Sequence, residues 1–371
     1  MKTFTCLGMG LLAAFAGWTS STAAAGSFAA RTQVVEDGPQ RRMIVLTDME
    51  ADQDDAQSLV RLMLYANEVD IEGLVATTST HMRHELHPET IRRILDAYAK
   101  VQPNLLKHDP RYPAAAKMRG LISTGQPDYG MAAVGTGKDT TGSNAIIRAL
   151  ESPDPRPLWV TVWGGPNTLA QALLTLKAIH SAAETSRLLA KLRVATISDQ
   201  DDSGAWIRRT FPNLFYVVSP GEYGRATAAS RRTYTGARVS LWRWRDDFQN
   251  DFAARIGWTT LPYEKANHPP LVRLPGPDRL TVHSDEVFTL SAEGTTDPDG
   301  DSLSYLWFNY TEAGTLKAAI PTIGAENIFH MSFKAPAVSK PETAHFILRV
   351  TDKGAPPLTR YKRVVVTILP N

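Results

Sequence analysis

Residues 43–67, MIVLTDMEADQDDAQSLVRLMLYAN, decide the fold. MIVLT is nearly all apolar, as expected of a strand buried on both faces of a parallel sheet. From Ala56 the pattern turns helical, with Leu59, Leu62 and Met63 on one face. The turn between them packs five carboxylates: Asp48, Glu50, Asp52, Asp54 and Asp55. Like charges a few ångströms apart raise one another's pKa unless something positive holds them. The turn therefore asks for a partner.

Outward from this stretch, the alternation continues. IEGLVAT (71–77), LWVTVW (158–163), LRVATIS (192–198) and LFYVVS (214–219) read as strands. PETIRRILDAYAKV (88–101) and TLAQALLTLKAIH (168–180) read as helices, the first opened by a proline that suits a first turn. Strands alternating with helices of this length predict an α/β fold with a doubly wound, mostly parallel sheet over residues 40–262. KANHPPLVRLPGPDRL (265–280) is proline-rich and marks a linker, taken as 263–279. Beyond it, residues 280–371 alternate in strand fashion with turn clusters, the pattern of a small β-sandwich.

Composition narrows the function classes. Residues 1–25 carry Lys2, an apolar core from Cys6 to Trp18, and small residues ending at Ala25. That is the layout of a secretory leader, so export from a bacterial cell, to the periplasm or beyond, is expected. The one cysteine, Cys6, lies inside that leader, which excludes disulfide and thiol chemistry in the mature chain. No later run is long enough to span a membrane. Forty basic and thirty-eight acidic residues nearly cancel, and no basic stripe stands out, so nucleic acid is not an expected partner. The sequence says nothing of oligomeric state.

In a doubly wound sheet, ligands sit outside the carboxyl ends of the strands. Asp48 stands there, and Asp54 and Asp55 open the next helix, whose N-terminal dipole favours anions. A hard divalent cation such as Ca²⁺, which takes six to eight oxygens, would absorb the remaining charge. The alternative is a solvated acidic turn with an aspartate as N-cap. SDQDDSGAW (198–206) repeats the theme, with Asp199, Asp201 and Asp202 at a strand end and Trp206 beside them. Asp199, Asp201 and Asp202 are candidates for holding sugar hydroxyls, against helix capping by Asp202 or Ser203, and Trp206 is a candidate sugar-stacking ring. His81, His84 and His87 read as loop residues, and DPDGD (297–301) as a tight turn. Trp159, Trp242, Trp244 and Trp258 are expected in the core.

VLTDMEADQDDAQSLVRLMLY resembles the N-terminal motif of the nucleoside-hydrolase superfamily. GLVATTST, HPETIRRILDAYAKVQPNLLKH, STGQPDYGMAAVG, LWVTVWGGPNTLAQAL, RVATISDQDDSGAWIRRTFPNLFYVVSP and LWRWRDDFQNDFAARIGW extend the likeness. Together they are similar to a secreted branch labelled cellulose-binding, with a C-terminal immunoglobulin-like domain. The resemblance implies that Asp48 is metal ligand and general base, Asp55 a bidentate ligand, and Asp54 a residue near both metal and sugar. It also implies that the backbone carbonyl of Trp163 binds Ca²⁺, and that the ligand is a nucleoside or a carbohydrate. The family's acidic motif between its VVSP and WRWR texts has no counterpart here: after Glu222 the next carboxylate is Asp246. Two functions stay open, a Ca²⁺-assisted hydrolase of a glycosyl bond and a non-catalytic carbohydrate-binding protein with an incomplete site.

Overall fold

In a computed structural model, which describes residues 39–219, 242–324 and 328–371, the opening stretch forms β1 (Arg41–Thr47) and α1 (Asp54–Leu64). The leader expected at 1–25 and the short segment after Gly221 lie outside the described residues. β1 joins β2 (Val69–Ala76), β3 (Ile122–Thr124), β4 (Leu158–Val162), β5 (Leu192–Ile197) and β6 (Phe215–Ser219) in one six-stranded sheet. The spatial order is β3-β2-β1-β4-β5-β6 and every neighbouring pair is parallel. The winding reverses between β1 and β4, which opens a crevice outside their carboxyl ends.

Ile44, Val45 and Leu46 of β1 are fully buried because helices cover both faces. On one face lie α1, α2 (Pro88–His108) and α3 (Ala115–Arg119), whose Leu59, Ile91, Leu95 and Met118 pack on Val45 and Leu74. On the other lie α4 (Thr141–Glu151), α5 (Asn167–Ile179), α6 (Ala182–Leu189) and α7 (Ser203–Thr210), which cover Ile44, Leu46, Val160 and Val194. Each fully buried aliphatic side chain contributes about 1.5–3 kcal/mol. α2 runs a full two turns beyond the helix expected at 88–101, with Pro103 inside it. Burial of Leu105 and His108 in its last turns holds the helix together despite the missing proline N–H.

The C-terminal lobe is a β-sandwich. One sheet has β8 (Val287–Ser291), β10 (Thr322–Ile323) and β11 (His330–Lys334); the other has β7 (Arg279–His283), β9 (Ser304–Asn309), β12 (Glu342–Thr351) and β13 (Thr359–Leu369). Phe288, Trp307, Phe333 and Phe346 fill the space between them. The last helix of the α/β lobe, α8 (Arg245–Gly257), makes direct bonds to β12 and β13. Asp247 accepts from Arg349 at 2.8 Å, Thr359 at 3.0 Å and the Tyr361 hydroxyl. Asp251 accepts from Arg360 at 2.7 Å and from Arg255 at 2.8 Å.

Candidate functional site

Asp48 follows β1 and Trp163 follows β4, so the two flank the crevice at the switch point. Main-chain bonds stitch the surrounding loops: Trp163 N–H to the Leu46 carbonyl at 2.8 Å, Gly165 N–H to Thr78 at 2.9 Å, and Thr80 N–H to Gln200 at 2.7 Å. The Gly164-Gly165 pair permits this closeness. A Cβ on Gly164 would lie 2.8 Å from Asp48, and one on Gly165 would lie 2.6 Å from both Asp201 Oδ2 and the Thr78 carbonyl.

The five carboxylates divide three ways. Glu50 takes the left-handed region at φ 77° and accepts from Thr90, and from Arg93 at 2.9 Å. The Thr90 hydroxyl, opposed by burial and helped by His87 and Arg93, holds its carboxyl below the usual range. Asp52 and Asp54 hydrogen-bond each other, which raises Asp54 and lowers Asp52, while Asp52 also accepts the Asp54 N–H at 2.9 Å. Asp48 and Asp55 remain, 5% and 7% exposed. Burial pushes the Asp55 carboxyl up to about 7, against a hydrogen bond from Thr47 and with the charges of Asp48 and Asp54 adding to it. No ion pair to either is made among the described residues.

These groups open into a cavity of about 560 Å³ whose walls include Arg61 of α1, Tyr65 just past its end, Trp163, Gln200 and Phe248 of α8. Arg61 donates to the Phe248 carbonyl at 2.9 Å and lies 4.6 Å from the Phe252 ring centre, which ties α1 to α8. Gln200 Nε2 donates to the Trp163 carbonyl at 2.5 Å, while its own Oε1 is buried with no partner. Rotation of that amide would set two oxygens side by side, an arrangement that a cation stabilises. Apart from His81, the donors at this rim are oxygens and fit a hard cation in kind. In number they fall short: among the described residues no three acidic, histidine or cysteine side chains gather to hold a metal.

Asp48, Asp54, Asp55 and Trp163 are thus brought to one cavity, and Asp199, Asp201, Asp202 and Trp206 are not among its walls. Each of the latter is engaged elsewhere. Asp199 forms a two-pronged pair with Arg208 at 2.9 and 2.6 Å. Asp201, 6% exposed, accepts from the Ser203 N–H at 2.8 Å and the Asn167 N–H at 3.2 Å, so it, rather than Asp202 or Ser203, binds the start of α7. Asp202 accepts the Met131 N–H at 2.8 Å, and Trp206 meets Phe211 edge-on while packing on the α/β core. His84 pairs with Asp128 and His87 with Glu50, which leaves His81 alone at the cavity. Asp297 accepts the N–H groups of Asp299 and Asp301, closing a turn. Of the tryptophans expected in the core, Trp258 is buried at 4% exposure; Trp159, Trp242 and Trp244 are half-buried. The motifs of the sequence do not point to Arg61, Tyr65, Gln200 or Phe248. Helical spacing from Asp55 through Ser58 and Leu62 leads to Tyr65, whereas nothing local in the sequence signals Phe248.

The profile of the family described as "Cellulose-binding Sde182, nucleoside hydrolase-like domain" matches residues 42–261. That of "Cellulose-binding protein Sde0182, C-terminal domain" matches residues 287–368. Among solved structures, a nucleoside hydrolase-related hypothetical protein from Saccharophagus degradans, associated with carbohydrate metabolism, is 30% identical with a TM-score of 0.83. The alignment covers 89% of this chain and 100% of that one. WR4, an MSP family member of C. elegans, is 8% identical over 28% of this chain and 100% of its own, with a TM-score of 0.18, too distant to bear on the fold. No match is found among curated proteins.

Proposed function

Because the chain belongs to the cellulose-binding Sde182 family with its nucleoside-hydrolase-like domain, we propose that it binds a saccharide of the cellulose type at the β1–β4 rim, with Ca²⁺ between Asp48 and Asp55. One observation carries this reading: planar carboxylates and aromatic rings, Trp163, Tyr65 and Phe248, share one cavity of about 560 Å³. Carboxylates accept from sugar hydroxyls, and rings cover the apolar faces of a pyranose. The volume falls within the usual ~300–1,000 Å³ of small-ligand sites. Asp48, Asp55 and the Trp163 carbonyl would hold the cation, with Asp54 toward the sugar and water completing the shell. Bound Ca²⁺ supplies neutralisation of two buried carboxylates. The site of action that fits this reading is outside the cytoplasm, where cell-wall polysaccharide is met.

A second reading, hydrolysis of a glycosyl bond in a saccharide or nucleoside, is favoured by the burial of Asp48 beside Asp55. In it, Asp48 takes a proton from the water that attacks the anomeric carbon, and the departing oxygen or nitrogen leaves with the electron pair of the glycosidic bond and is protonated from solvent. Calorimetric titration of cello-oligosaccharides with Ca²⁺ and with chelator tests the first reading, and anomeric-proton NMR on the same samples tests the second. Binding that weakens in chelator, without new anomeric signals, supports the first alone. Absence of binding to every cello-oligosaccharide and to insoluble cellulose overturns it.

A further inference from the structure

Tyr65 and Phe248 line the carboxylate cavity and also a second one, again of about 560 Å³, between the two lobes. Its other walls include Trp244 of α8, Ile347 of β12 and Tyr361 of β13. The two cavities are therefore neighbours that share a wall. Trp244 is half-buried and meets the Tyr361 ring edge-on at 5.0 Å. The charged groups in the second cavity compensate one another: Asp247 is bonded to Arg349, and Asp251 to Arg255 and Arg360. A cavity of paired charges offers no net attraction to an anion or a cation. What it offers is aromatic and aliphatic surface next to carboxylate oxygens with spare lone pairs. That combination suits a neutral ligand rich in hydroxyls with flat apolar faces.

We infer that this interlobe cavity is a second saccharide subsite, so that one β-glucan chain reaches from the Asp48 rim, past Tyr65 and Phe248, to Trp244 and Tyr361. The inference rests on the saccharide reading above and extends it to ligand length. A chain long enough to reach both cavities gains affinity over a short one, because the second contact is made by a ligand already held.

Calorimetric titration of the full mature chain with cellobiose and with cellohexaose tests the inference. The parent protein is expected to bind cellohexaose at least about tenfold more tightly than cellobiose, the size of one well-buried aromatic contact. Trp244→Ala, which empties the cavity, and Ile347→Trp, which fills it, should each reduce that gain to roughly twofold or less. Thermal melts of both variants check folding, and the folded one of the two decides. A folded variant that keeps the full chain-length gain overturns the subsite and leaves the rim reading standing. A parent that binds neither ligand overturns the subsite, and one that also binds no other cello-oligosaccharide and no insoluble cellulose overturns both.

Discussion

At the scale of single residues, the acidic turn is less of an anomaly than its composition suggests. Glu50 is turned away to Thr90 and Arg93, and Asp52 and Asp54 hold each other. Asp48 and Asp55 alone stay buried without a cationic partner among the described residues. Ca²⁺ is therefore expected to raise the melting temperature, by mass action about 2.7 kcal/mol at a hundredfold excess over the dissociation constant. Asp55→Asn should remove that response, and in chelator it should melt no lower than the parent, since burial already disfavours its charge. Melting that ignores both chelator and the substitution would refute a cation at this rim. Gly164 supplies a second test. A Cβ there would press on Asp48 at 2.8 Å, so Gly164→Ala should cost about 1–3 kcal/mol and blunt the Ca²⁺ response. Gly135→Ala, whose Cβ would meet only the Lys138 side chain at 3.6 Å, serves as the control in the same melts.

Among the elements, α8 has the largest consequence for its length, because it walls the cavity with Phe248 and meets the sandwich with Asp247 and Asp251. Burial works to raise the Asp251 carboxyl, and the charges of Arg360 and Arg255 outweigh it, leaving the group well below its usual range. A lowered folded pKa contributes stability that is present above the unfolded value near ~4 and lost as pH falls through the folded one. Arg360→Met should then cost about 1.5–3 kcal/mol at pH 7, the range of a charged hydrogen bond, and lessen the loss on acidification. Urea unfolding from pH 7 down to pH 3 reads both effects; parallel acid limbs in parent and variant would assign the acid sensitivity elsewhere. α8 also marks where sequence reasoning stopped. Five of the six strands are legible as apolar runs between helical patterns, whereas β3, three half-buried residues long, leaves no such pattern. The Asp48–Asp55 rim is legible because a strand end and a helix start adjoin in sequence. Phe248 bonds Arg61 from 187 residues away, and no local pattern announces such a contact. Asp201 reads as a ligand residue in part for the same reason: besides its local bond to the Ser203 N–H, it accepts from Asn167, 34 residues back. Trp244 has the spacing of a core residue, but its ring meets Tyr361 of the other lobe.

For the molecule as a whole, the question is whether two lobes divided in sequence act as one body. Residues 263–279 read as a linker, yet their first part is held on both sides. Tyr263 stacks on His268 with ring centres 3.9 Å apart, and His268, only 3% exposed, also stacks on His108 and Trp258 of the α/β lobe. From the sandwich, Asp299 bonds His268 at 2.9 Å and Asp352 bonds Asn267 at 3.2 Å. The longest exposed run of the segment is 275–279. Nicking concentrates on exposed, weakly bonded chain, so limited proteolysis should cut at 275–278 and spare 263–270. The two fragments should nevertheless co-elute in size-exclusion chromatography at pH 7, because the bonds of Asp247 and Asp251 to Arg349, Tyr361 and Arg360 cross between them. Despite burial, the charges of Arg360 and Arg255 hold the Asp251 carboxyl below its usual range, so the fragments should part only in acid below that range. Asp247→Ala should bring that parting closer to neutral pH, since it removes three of the crossing bonds at once. Fragments that elute apart at pH 7 would mean that the lobes are joined only by the chain, and that no saccharide could rely on a fixed surface between them.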